Sequence, residues 1–431
     1  MTIITRRFFL AGASAVIGAS LVRPGSAVAA APADIRIGTV FPVRTGASFI
    51  HASVNDFIGT AGRIGVQLAD TQLGTRAEEA GSSLHVLLAN APTVEAAVRA
   101  GERLVEVEKV HALVGGVGEG QAEALAEIAA RAKIPFFNVG ETSDAFRRDA
   151  SSPYLFHIEA SDAMYLDALA QLAVQQGHKR WLVVSDNSDR GVALSQRAEL
   201  AAQKAGCTIV ETVELPAASP VYFAEIEDMA AVDADVIVVL INYQDFFTLT
   251  VQMEEEGITT PILTFPHTIT QTRDFVAASR GRLSVLSPKR HVALWETTRT
   301  EFGADDFNLQ VQARFSEPAD PTAWASFHAI KIILEAAIAA GSTDADAMVA
   351  YLEDPQTTFD VLKGPGVSFR PWDHQLRQPL AVVDVRNDVV WREREIATRV
   401  AAAADGGTLP EGAPGDDAMQ WLDTLGDGPE D

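Results

Sequence analysis

From Asp34 onward the chain repeats one pattern: a short apolar run, a turn, then an amphipathic helical stretch. Strands joined by helical crossovers pair in parallel, and a parallel sheet needs helices on both of its faces. Strands are predicted at 35–40, 84–89, 112–114 and 135–139, with helices over 61–76, 94–107 and 121–132 between them. After Tyr154–Ile158 the pattern restarts. Strands at 181–184, 208–213, 236–241 and 262–265 alternate with helices at 164–175, 192–204, 223–231 and 246–256. Two successive units of similar size predict an α/β fold of two lobes. Helices over 322–340 and 344–352, then short strands at 367–369, 380–385 and 389–391, close the ordered body.

The two ends read differently from the body. Arg6-Arg7 precedes an uncharged stretch, Leu10–Val22, and Ala27-Val28-Ala29 offers small residues for a signal peptidase. This predicts a twin-arginine signal over residues 1–29 and a periplasmic destination for the folded chain. Leu10–Val22 is too short to span a bilayer, which takes about 20 apolar residues, and no other segment reads as long and apolar enough. Residues 401–431 hold eight acidic residues, six glycines and no basic residue, so a mostly flexible tail is expected, with Trp421-Leu422 as its one docking candidate.

Charge and cysteine content exclude several classes. With 34 basic against 58 acidic residues the net charge is −24, which repels phosphate backbones and excludes a nucleic-acid partner. The lone Cys207 allows no internal disulfide and no cysteine-based zinc site. No GxSxG, HExxH or Cys/His pairing is present, so an enzyme is not expected.

Two loops come close to known motifs. Gly115-Gly116-Val117-Gly118-Glu119-Gly120 follows a strand and precedes a helix, but Gln121 stands where the third glycine of GxGxxG would be. It reads as a tight turn that sets backbone N–H groups and Glu119 at the carboxyl end of a strand, where ligands of open α/β sheets bind. Asp186-Asn187-Ser188-Asp189-Arg190-Gly191 opens like a calcium loop but has Arg190 at the fifth position and Arg197 at the twelfth, which leaves a capped βα turn.

The order of elements from Ile35 to Val385 resembles the type I periplasmic binding proteins of the leucine/isoleucine/valine-binding family. Ile134-Pro135-Phe136-Phe137-Asn138-Val139-Gly140-Glu141-Thr142, Tyr154-Leu155-Phe156-His157 and Phe327-His328-Ala329-Ile330 with Ala340-Gly341-Ser342-Thr343-Asp344 carry the likeness. Ser368-Phe369-Arg370-Pro371-Trp372-Asp373-His374-Gln375-Leu376-Arg377-Gln378-Pro379-Leu380 and Leu422-Asp423-Thr424-Leu425-Gly426 resemble one branch of it. That branch comprises the ABC-transporter substrate-binding proteins associated with pyrroloquinoline quinone (PQQ)-dependent alcohol dehydrogenase systems.

The resemblance implies a ligand cleft between lobes that close about a hinge. Lobe 1 would take residues 30–158 and 288–357, and lobe 2 residues 159–287 and 358–400. ABC transporter membrane subunits, and components of the PQQ system, would be the partners. Amino-acid binders of the family hold the ligand carboxylate with a Ser and a Thr and the ammonium with an acidic residue. Here Gly118 or Glu119 replaces the Ser, Thr142 remains with Ser143 beside it, Arg190 replaces an aromatic, and His267 stands where the acid is expected. These departures argue against a branched-chain amino acid. The cleft is expected to be lined by Gly118, Glu119, Glu141, Thr142, Ser143, Asp189, Arg190, Tyr243 and His267. The alternative is a periplasmic protein binding a lanthanide or calcium for PQQ-dependent dehydrogenases, through Glu119, Glu141, Asp144, Asp186 and Asp189, since hard cations take several carboxylate oxygens.

Overall fold

The structure, a computed structural model, describes residues 32–43, 54–149, 152–273, 275, 290–385 and 401–404. The first sheet is parallel throughout and runs in the order β2-β1-β3-β4-β5. Its strands are β1 (Asp34–Phe41), β2 (Ser83–Asn90), β3 (Ala112–Gly115), β4 (Phe136–Asn138) and β5 (Leu155–His157). Helices α1 (Val54–Glu79), α2 (Val94–Glu106) and α3 (Gln121–Ala132) connect its first four strands, and the short α4 (Asp144–Asp149) follows β4. The period-2 geometry of the strands sorts their side chains into two cores. Ile35, Ile37, Ala112 and Phe137 face α1, whereas Leu113, Phe136 and Leu155 face α2 and α3 with Leu104, Leu125 and Ile128.

The second sheet is built the same way, in the order β7-β6-β8-β9. Its strands are β6 (Arg180–Asp186), β7 (Thr208–Leu215), β8 (Val236–Val239) and β9 (Ile262–Thr264). Trp181, Val183, Val236 and Val238 look towards α5 (Asp162–Gln175) and α6 (Asp189–Ala205). Leu182, Val184, Ile237 and Val239 look towards α7 (Phe223–Ala230) and α8 (Tyr243–Glu255). The helix starts follow from the sequence: the side chains of Thr93, Ser161, Ser188 and Asn242 accept backbone N–H bonds at the first turns of α2, α5, α6 and α8.

The remaining elements complete both lobes. Strand β10 (Arg290–Ala293) is followed by α9 (Ala304–Phe315), α10 (Pro321–Ala340), α11 (Ala345–Leu352) and the hairpin β11 (Ser368–Phe369) and β12 (Leu376–Arg377). Then β13 (Ala381–Val385) and β14 (Ala401–Ala404) form an antiparallel three-stranded sheet with β10, in the order β10-β13-β14. Helix α10 packs along α1, where Gly65 sits against the Ala323 carbonyl so closely that a Cβ would lie 2.1 Å from its oxygen.

Two expectations need correction, one at the start of the tail and one at the helix 321–340. Arg290–Ala293, just past the expected boundary at 288, lies beside β9 and α5. The following chain then stays on α10 beyond 358, because Trp324 Nε1 donates to Val361 O at 2.9 Å and Lys331 Nζ to Asp360 O. Ala401–Ala404, expected to open the tail, instead pairs with β13. Finally, Pro321–Ala340 is long and apolar enough to cross a membrane, yet 78% of its apolar window is buried inside the fold, as a core helix requires. The leader 1–29, the strand expected at 389–391 and residues 405–431 with Trp421-Leu422 lie outside the described residues.

Candidate functional site

The carboxyl ends of both parallel sheets converge on one cavity of about 200 Å³. From the first sheet come the loop after β3, with Gly116, Gly118 and Glu119, and the loop after β4, with Gly140, Glu141 and Thr142. From the second come Arg190 in the first turn of α6, and His267, Thr268 and Ile269 in the segment after β9. The β3 loop can turn this sharply because Gly116, Gly118 and Gly120 hold φ of +86°, +99° and +70°, a region that only glycine enters without strain.

Arg190 dominates the geometry. Its Nη1 donates to Asp162 Oδ2, and its Nη2 donates to Asp162 Oδ1 at 2.6 Å and to Thr142 Oγ1 at 2.7 Å. The guanidinium lies over the Phe265 ring, 5.6 Å from its centroid. The bond to Thr142 runs from the second sheet's side of the cleft to the first, and Thr268 Oγ1 makes a second such bridge by donating to Gly140 O at 3.0 Å. Burial, reinforced by Arg190, pushes His267 down to about 4, so its ring is neutral near pH 7. Its Nε2 lies 2.9 Å from Ile241 O, which fixes the proton there and leaves Nδ1 as an acceptor.

Behind the cavity a buried hydrogen-bond chain joins the segments that pass between the sheets. Tyr165 donates to Glu159 Oε1 at 2.7 Å, Gln271 Nε2 donates to the Tyr165 hydroxyl at 3.1 Å, and Leu294 N donates to Gln271 Oε1 at 2.7 Å. Glu159 follows β5, Gln271 follows β9 and Leu294 follows β10, so the bonds tie these three segments together. Burial raises the Glu159 carboxyl to about 7, against the lowering effect of the Tyr165 hydrogen bond.

Of the residues expected to line the cleft, Gly118, Glu119, Glu141, Thr142, Arg190 and His267 come together around the cavity. Ser143, Asp189 and Tyr243 are not among its lining residues. Ser143 faces a separate surface groove with Glu123 and Phe146, and its N–H donates to Glu141 Oε1 at 2.7 Å. Asp189 is exposed at the start of α6, and the Tyr243 ring packs edge-on against Phe275 at 5.8 Å. Sequence reasoning missed Asp162, Gly140 and Thr268. Asp162 had the signature of an ordinary first-turn acid behind the Ser161 cap, and nothing in the sequence marks the other two.

The metal constellation is corrected. Among the described residues, no three His, Cys, Asp or Glu side chains are grouped so as to hold an ion. The carboxylates serve local structure instead. Asp144 Oδ1 accepts from Ala163 N at 3.1 Å, and burial followed by repulsion from Asp162 raises its pKa to about 6. Asp186 Oδ1 accepts from Ser188 N at 3.0 Å and from the Ser188 hydroxyl, closing the turn before α6. Glu119 and Glu141 share the cavity, but Asp144, Asp186 and Asp189 do not join them there.

Comparison with known proteins bears on the family and the fold. A family model described as "Periplasmic binding protein" matches residues 39–389. A curated relative, the Leu/Ile/Val-binding protein homolog 7 of Brucella abortus (strain 2308), is 22% identical over 250 residues, covering 56% of this chain and 60% of the relative. The chain thus spans less than two thirds of the length of the curated relatives it matches. Among solved structures, a branched-chain amino acid ABC transporter periplasmic ligand-binding protein from Burkholderia xenovorans aligns with TM-score 0.70 at 17% identity, over 84% of this chain and 96% of that one. A solute-binding protein of an ABC transporter from R. palustris, in complex with 4-hydroxybenzoate, aligns with TM-score 0.65 at 14% identity, over 86% and 96%. At these identities the likeness is one of fold.

Proposed function

The chain belongs to the periplasmic binding protein family, and on that premise we propose that it is the solute-binding component of an ABC transporter, taking a small organic ligand between its two lobes. The observation that carries this reading is the cavity at the facing carboxyl ends of the two sheets, bridged by Arg190 to Thr142 and by Thr268 to Gly140. Ligands of open α/β sheets bind at such ends, and bridges of this kind close a cleft about a hinge. Gly118, Glu119, Glu141, Thr142 and His267 are the proposed ligand contacts, with Arg190 as the clamp. The family and its structural neighbours are substrate-binding proteins rather than enzymes.

The finer assignment is to a transporter serving PQQ-dependent alcohol dehydrogenase systems, with its membrane subunits as partners and twin-arginine export as the route to the periplasm. Its support is the branch-like run Ser368–Leu380 and the Arg6-Arg7 leader. The test is native mass spectrometry of protein isolated from its own periplasm, paired with small-angle scattering. A retained organic adduct, whose removal expands the molecule, is expected. An adduct-free protein whose scattering no candidate solute changes goes against solute binding.

A further inference from the structure

Among the described residues the cleft cavity carries more acid than base. Its wall holds the carboxylates of Glu119 and Glu141 and one guanidinium, that of Arg190. Arg190 is already matched, since both of its terminal nitrogens hold the two oxygens of Asp162, whose side chain is only 4% exposed. That pair cancels its own charge. Neither Glu119 nor Glu141 forms an ion pair among the described residues.

The neutral side chains add no charge: an acceptor at His267 and a hydroxyl at Thr142. His267 has its one N–H on Ile241 O and keeps an unprotonated Nδ1. The Thr268 hydroxyl proton is engaged by Gly140 O, whereas the Thr142 hydroxyl accepts from Arg190 and keeps its own proton to donate. The opposing contribution is the N-terminus of α3, which carries about half a positive charge. It is answered locally by Glu119, just before the helix, and by Glu123 in its first turn. Among the described residues, a carboxylate entering this space would meet two like charges and no free cation, whereas an ammonium would meet two carboxylates.

We propose that the cleft ligand is a small organic cation, a primary amine carrying no carboxylate, held by Glu119 and Glu141. The inference rests on the cleft-binding function proposed above and names its substrate class. No Phe, Tyr or Trp lines the cavity, so the aromatic cage that suits a quaternary ammonium is missing among the described residues, and hydrogen-bonding N–H groups are favoured. The volume of about 200 Å³ matches a molecule of few heavy atoms, an amino alcohol or short diamine.

The experiment is a calorimetric and thermal-shift titration of the full exported chain at low ionic strength. The probes are 2-aminoethanol, 1,4-diaminobutane, acetate, isoleucine, 4-hydroxybenzoate and propane-1,2-diol. An amine is expected to bind and to raise the melting temperature, with an affinity that falls as salt is added. Glu119→Gln and Glu141→Gln should each weaken it roughly tenfold with unchanged circular dichroism; Glu119 is exposed, so its variant tests the claim even if the other folds poorly. Binding of acetate, isoleucine, 4-hydroxybenzoate or the diol without any response to the amines overturns the amine assignment and leaves solute binding standing. Silence of all six also overturns the amine assignment, and solute binding then stands or falls with the retained adduct sought by native mass spectrometry.

Discussion

Glu159 has a chemistry that departs from what its surroundings in sequence suggest. It sits fully buried, with Arg147, Lys363 and Tyr165 about it, and burial raises it to about 7 from its ordinary 4.5. A carboxyl raised in this way binds a proton in the fold that the unfolded chain has already released. Stability is therefore lost as pH climbs from about 4.5 through about 7, with a limiting slope of about 1.4 kcal/mol per pH unit. His267 and His291, each lowered to about 4 from 6.5, act in the opposite sense and lose stability as pH falls from 6.5 towards 4. Glu159→Gln keeps an acceptor for Tyr165 and leaves the histidines alone. Its urea stability relative to wild type should rise between pH 5 and 8; parallel curves across that range would show that Glu159 does not titrate there. The sequence reveals little of this, because a glutamate after a strand is indistinguishable from a surface one until the crossings close over it. The acids at βα turns mislead for the same reason. Asp144 and Asp186 look like ligands in a list, but a carboxylate near a helix start meets free backbone N–H groups first.

At the scale of elements the sequence is far more legible. Parallel strands buried on both faces show as unbroken apolar runs such as Val236–Val239, and their helices carry their own caps. Helix α9 escapes detection because Asn308 occupies a core position within its buried set, Ala304, Phe307, Asn308 and Val311, where it bonds Trp295 Nε1 and Arg299 O. The turn of the β11–β12 hairpin is hidden too. It holds His374 at φ +54°, stabilised by stacking on Phe156 at 4.3 Å and by its Nδ1 bond to Leu155 O, contacts far away in sequence. The α1–α10 contact gives a paired test within one helix. Gly65→Ala would drive a methyl into the Ala323 carbonyl and should cost about 1–3 kcal/mol. Gly74→Ala meets nothing within 4 Å and should stabilise by about 0.5–1 kcal/mol. Thermal melts of both variants check this, and equal effects would mean that the two helices do not pack so closely.

For the whole molecule the question is what holds the lobes together. The two bridges described here, Arg190 to Thr142 and Thr268 to Gly140, are hydrogen bonds worth about 1 kcal/mol each. Thr142→Val combined with Thr268→Val should lower the ratio of closed to open molecules by roughly thirtyfold. The expected readout is a larger radius of gyration in small-angle scattering without ligand. An unchanged radius would place the closing energy elsewhere. The two-lobe architecture itself was readable from the restart of the βα pattern after Ile158, but the pairing of β10 was not, because four residues are too few to declare which strands they join.

None of the residues in the chain of bonds from Glu159 through Tyr165 and Gln271 to Leu294 is among those that line the cavity. Apparent affinity equals intrinsic affinity scaled by the fraction of molecules competent to bind. Two homologues with identical pockets can then differ in the solute concentration they respond to, through substitutions at the hinge alone. Sensitivity and selectivity become separately heritable traits, one written in the crossings and the other in the cleft.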